Sequence, residues 1–98
     1  MSRVVPPAIP AGLEGLLGRF IEEMQGDLAR LLALAESGDD GLAEHLHAMR
    51  GKCAMFGEDI LFAELSAIEA GGRPDSLQLA AISARVAELA SLRDTPGS

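Results

Sequence analysis

Ninety-eight residues are enough for one ordinary domain and too few for two. The formal charge is −7, from 15 acidic against 8 basic side chains, which argues against nucleic-acid and anionic-membrane partners because both need clustered Lys and Arg. Apolar residues make up 48% with three Phe and no Trp or Tyr, so a core must be aliphatic, and the lone Cys53 has no internal disulfide partner.

In chain order, residues 1–10 carry Pro6, Pro7 and Pro10, which fix φ and remove amide donors, so the segment reads as an extended lead-in. The Met-Ser-Arg start lacks the apolar stretch of a secretory signal, and no run approaches the roughly 20 apolar residues of a membrane span, so the expected location is the cytoplasm. From Leu13, the positions Leu16, Leu17, Phe20, Ile21, Met24, Leu28, Leu31, Leu32 and Ala35 recur at helical spacing and predict a first helix of about 24 residues. Ser37-Gly38-Asp39-Asp40 supplies its stop and a choice of N-caps for the next.

A second helix carries Leu42, Leu46, Met49, Cys53 and Phe56 and breaks at Gly57, where Glu58 and Asp59 are placed to meet a following N-terminus. The third carries Leu61, Leu65 and Ile68 and stops at Gly71-Gly72. Pro74 and Asp75 open the fourth, with Leu79, Ile82, Val86 and Leu89 as its stripe and Ala80, Ala84, Ala87 and Ala90 expected to allow close helix approach. Residues 94–98 read as a flexible tail. Nothing alternates like a strand. Four amphipathic helices joined by short connections predict an all-α, antiparallel up-down-up-down four-helix bundle over residues 11–93.

Helical geometry then sorts the polar residues of the second helix. With Leu42 at zero, the apolar stripe spans about 40° to either side, whereas His47 lies about 140° away and Gly51 about 180° away. His47 is therefore expected to face solvent. His45 falls about 60° to one side of the stripe and diverges from His47 by about 200°, which disfavours a two-histidine metal site. Gly51 costs roughly 1 kcal/mol relative to Ala inside a helix, but one turn beyond His47 it clears the surface beside the imidazole; a tight helix crossing or a break is the other reading. Arg50, three residues after His47, either supplies a positive charge to an anion on the ring or flanks the core with its stem. A neutral imidazole nitrogen can attack phosphorus. Cys53, on the core stripe, is not expected to be reactive.

The run His47-Ala48-Met49-Arg50-Gly51-Lys52-Cys53-Ala54-Met55-Phe56-Gly57, followed by Leu61, Ile68 and Glu69, resembles the motif of the histidine-containing phosphotransfer (HPt) family. That motif is a His, a Lys three later, a Gly four later and a Gly ten later, then spaced apolar positions and often a Glu. Two positions depart from it: Arg50 stands in place of Lys, and Glu64 stands where an apolar residue is common.

The resemblance implies a phosphocarrier rather than a turnover enzyme. His47 would take a phosphoryl group from a receiver-domain aspartate of a hybrid kinase and pass it to a response regulator, with Arg50 as counter-charge and Gly51 as the point of steric access. The chain would need no cofactor of its own, Mg²⁺ coming from the receiver, and no Walker-type glycine loop is present for ATP. Receivers would dock on Ala43, Ala54 and parts of the first helix such as Leu17 or Ile21. A monomer is the default expectation. The alternative is an HPt-like adaptor that docks a kinase or receiver without carrying phosphate.

Overall fold

The computed structural model describes residues 4–94, and within them the regular structure is helical throughout. A short 3-10 turn, Glu14–Leu16, leads into α1 (Leu17–Ser37), followed by α2 (Leu42–Met55), α3 (Asp59–Gly71) and α4 (Ser76–Asp94). Among the described residues no helix is long and apolar enough to cross a membrane. Apart from Asp94, the expected tail lies outside the described residues.

Each helix buries one stripe. Phe20, Ile21, Met24, Leu31 and Leu34 enter the core from α1, and Leu42, Leu46, Met49 and Cys53 from α2. Leu61, Leu65 and Ile68 come from α3, with Ile82, Val86 and Leu89 from α4. Phe56 stacks on Phe20 with ring centroids 4.6 Å apart and closes one end. The helices α2 and α3 pack together, as do α1 and α4, so the core is shared by all four.

Some expectations about individual side chains are corrected. Leu16 and Leu32 are exposed and Leu34 is buried, because Leu34 falls about 40° from Phe20 whereas Leu32 falls about 120° away. Ala80, Ala84 and Ala87 line the outer face of α4, and of the four small residues only Ala90 packs against the core.

Helix ends are set locally. Gly38, at φ +70°, ends α1, its amide and that of Asp39 both donating to Leu34 O. No side chain caps α2; Asp39 instead accepts from the Gly41 amide at 2.7 Å inside the turn. Asp75 and Gln78 exchange backbone-to-side-chain hydrogen bonds of 2.7 and 2.9 Å, a capping box that opens α4.

Between α2 and α3 the chain makes a left-handed turn at Gly57, whose amide donates to Ala54 O while that of Glu58 donates to Cys53 O. Against this turn lies the lead-in. The Ala8 amide donates to Gly57 O at 3.0 Å, and a Cβ on Gly57 would sit 2.0 Å from Ala8 O. Glycine is thus required twice, by φ and by the neighbouring backbone.

Beneath this contact sits a buried charge cluster. Glu58 caps α3 by accepting from the Leu61 amide at 2.9 Å, and its carboxylate also takes Arg85 Nε at 3.0 Å and Nη2 at 2.6 Å. Arg85 further donates to Val5 O at 2.6 Å and to Glu88 at 3.0 Å. The hydrogen bond that Arg85 donates to Glu58, more than burial opposes it, raises the Arg85 pKa and keeps the guanidinium charged. Both groups are almost wholly buried, at 0% and 3% exposure, so removing one strands the other.

Arg85→Ala is expected to lower the unfolding free energy by about 3–5 kcal/mol, read by urea denaturation. Replacing both partners with apolar residues should recover part of that loss. A deficit well under 1 kcal/mol for the single variant would contradict the reading that the pair locks this end of the fold.

Candidate functional site

Burial of Leu46, Met49 and Cys53 fixes the rotation of α2 and turns His47 outward, its side chain 69% exposed. On α3, burial of Leu65 and Ile68 in the same way brings Glu69 against α2. Arg50 stands between them, half-buried. Its Nη2 lies 3.2 Å from His47 Nδ1 in hydrogen-bond alignment, and its Nε lies 3.0 Å from Glu69 Oε1 as an ion pair without that alignment. Glu69 Oε2 is itself 3.5 Å from His47 Nδ1. The Arg50 guanidinium also lies over the Phe62 ring, 5.9 Å from its centroid.

The structure therefore brings His47 and Arg50 into direct contact, with Gly51 one turn on. Gly51 is exposed, and a Cβ there would meet nothing within 4 Å. No helix crossing requires this glycine, and the tight-crossing reading falls. The aliphatic-flank reading of Arg50 is incomplete, since its guanidinium engages both His47 and Glu69.

His45 goes elsewhere. Its Nε2 is 2.8 Å from Asp27 O on α1, so the two histidines serve different faces. Among the described residues no group of His, Cys, Asp and Glu is arranged to hold a metal ion. Lys52 bridges to α1 through Asp27 at 2.9 Å and Glu23 at 3.3 Å. The hydrogen bond to Asp27 raises its pKa.

The surface near His47 is partly apolar. Ala43, Ala48 and Ala54 are exposed on α2. Two turns beyond His47, Met55 is 62% exposed and joins Leu16, Phe20 and Phe56 in a groove of about 360 Å³ that Arg19, Glu23 and Lys52 also line. Ile21, expected to be available for docking, is fully buried, and Leu17 packs against the core. The 3-10 turn moves the exposed apolar contribution of this end to Leu16.

Two neighbours of the site were not singled out from sequence. Glu69 belongs to the matched motif, but its contact with Arg50 and Nδ1 depends on how α3 docks. Phe62 carried a usable signal, because an aromatic side chain about 100° from Leu61 leaves the apolar stripe of α3.

With this geometry established, comparison with protein families finds that the Hpt domain model matches residues 15–95. Comparison with curated proteins and with solved structures finds no match.

Two outcomes follow from the packing. Gly51→Ala should raise stability by about 0.5–1 kcal/mol, because the helix gains a better former at an uncrowded position; a thermal melt that shifts downward would show a contact absent from the structure. Burial pushes the Cys53 thiol up to about 12, so the native chain at neutral pH should resist alkylation by iodoacetamide and react only on unfolding.

Proposed function

Because the chain belongs to the Hpt domain family, a family of histidine phosphotransfer in phosphorelays, we propose that His47 is the residue that carries the phosphoryl group between receiver-domain aspartates. What supports this most is the surroundings of one ring. His47 stands clear of its own helices, its Nδ1 is engaged by Arg50 and Glu69, and the surface on the Gly51 side is bare. Nε2 is then the nitrogen left to a partner. A neutral nitrogen attacks phosphorus, the P–O bond to the donor aspartate breaks, and the carboxylate departs with the electron pair.

Arg50 is proposed as the counter-charge to the transferred group and Gly51 as the gap through which a receiver backbone approaches. Mg²⁺ would be the receiver's. The docking surface would comprise the exposed alanines of α2 and the groove at Met55 and Leu16, an arrangement of apolar centre and charged surroundings that suits a transient partner. The chain would act as a cytoplasmic monomer, between a hybrid sensor kinase and a response regulator, without phosphorylating itself from ATP. The helix order proposed with it is antiparallel up-down-up-down. Cross-helix contacts support that order, pairing Met24 with Cys53, Glu58 with Arg85 and Gln25 with Arg93.

Incubation with a phosphorylated receiver of the same genome should give one acid-labile, alkali-stable phosphate, lost in His47→Gln. Gly51→Leu should fold normally yet slow transfer by obstruction. A label on another residue would refute the assignment to His47, and a relay that survives His47→Gln would point instead to an adaptor that docks receivers without carrying phosphate.

A further inference from the structure

Nδ1 of His47 has two neighbours of opposite character. Arg50 Nη2 stands 3.2 Å away and is aligned to hydrogen-bond, whereas Glu69 Oε2 stands 3.5 Å away at ion-pair distance only. A guanidinium donates and never accepts. The aligned contact therefore requires a lone pair on Nδ1, and the single proton of a neutral imidazole must then sit on Nε2. In that form the solvent-facing nitrogen has its electron pair in the ring π-system and cannot attack phosphorus.

Arg50 is also held in this position from two other sides. Its Nε is 3.0 Å from Glu69 Oε1, and its guanidinium lies over the Phe62 ring. Among the described residues, Arg50 and Glu69 are the charged groups in contact with the His47 ring.

From these contacts we infer that Arg50 gates His47: in the unphosphorylated chain it holds the ring in the Nε2–H form, and an incoming aspartyl phosphate opens the gate by drawing the guanidinium off Nδ1. The inference rests on His47 as phospho-acceptor and adds how that acceptor is kept silent. Once Arg50 turns to the phosphoryl group, Glu69 is the remaining acceptor at Nδ1. The ring gives its Nε2 proton to water and takes one on Nδ1. Nε2 then bonds to phosphorus as the bond from phosphorus to the aspartyl oxygen breaks, and the aspartate leaves as carboxylate. A neutral ring and a dianionic acyl phosphate become a phosphorylated ring of net charge −1 and a carboxylate of charge −1. The positive ring so formed lies beside Glu69. Phe62 touches no reacting atom and is a positioning residue, the seat on which Arg50 waits.

The test is made on the unphosphorylated full chain, labelled with ¹⁵N, at alkaline pH where the ring is neutral. Long-range proton–nitrogen correlation should find His47 Nε2 protonated and Nδ1 bare. Arg50→Met should reverse this, moving Nδ1 to the protonated type, and Phe62→Ala should shift the mixture the same way. Both side chains are partly exposed, and circular dichroism confirms that the variants keep their helices. An Nδ1–H ring in the unaltered chain, or a ring unmoved by both substitutions, overturns the gate. Failure of phosphate to reach His47 from any receiver would instead defeat the function proposed above, and the tautomer measurement would still be readable.

Discussion

The azimuth of α2 is the constraint on which the rest depends. Leu46, Met49 and Cys53 are each buried almost completely, and burial of such side chains is worth about 1.5–3 kcal/mol apiece. Rotating the helix by a third of a turn would forfeit several of those contributions at once. His47, about 100° from Leu46, has no interaction of comparable size to pull it inward. Its exposure is a consequence of where its neighbours must go. The same argument applied to Leu65 and Ile68 delivers Glu69 to the facing surface of α3, so two independent hydrophobic stripes assemble one polar site between them.

Charged groups then fasten the helices at places the apolar core leaves open. Lys52 ties α2 to α1 through Glu23 and Asp27, while Arg85 ties α4 to the start of α3 and to the lead-in through Val5 O. These two links differ in kind. Lys52 and its partners remain partly exposed and are screened by water, so their worth is small. Arg85 and Glu58 are out of water, and each makes the other's burial tolerable. The lead-in is thereby fixed to the end of the fold remote from His47 along α2, where the Gly57 carbonyl accepts from the Ala8 amide.

Much of this was legible in the sequence because it follows from periodicity alone. The four stripes, the breaks at Gly38, Gly57 and Gly71-Gly72, and the outward direction of His47 all come from helical spacing and glycine. Where the reading failed, the deciding quantity was azimuth relative to a neighbour rather than hydrophobicity. Ile21, expected to be open to docking, lies about 20° from Leu28 on the core-facing side of α1, and the alanines of α4, expected to allow close packing, mostly point outward. Arg85 was overlooked for the same reason, lying only about 60° from Ile82 and hence at the edge of the core. Contacts between helices, such as Arg50 with Glu69 and Phe62, need the docking of α3 and could not be read from either segment alone.

The arginine at the position where the family motif has lysine gains a physical account from this geometry. Its Nε faces Glu69 and its Nη2 faces His47 at the same time, with the planar face laid on Phe62. An ammonium group is a single point of charge and has no flat face to lay on an aromatic ring. Its three donors can bridge two acceptors, as those of Lys52 do between Glu23 and Asp27, but not while a planar face rests on Phe62. The fork also presents a second Nη group, so a guanidinium that leaves Nδ1 can still meet a phosphoryl oxygen before its ion pair with Glu69 is broken. What looks like a conservative exchange in the motif thus changes what the cation can do: it couples the protonation of the imidazole to the arrival of an anion.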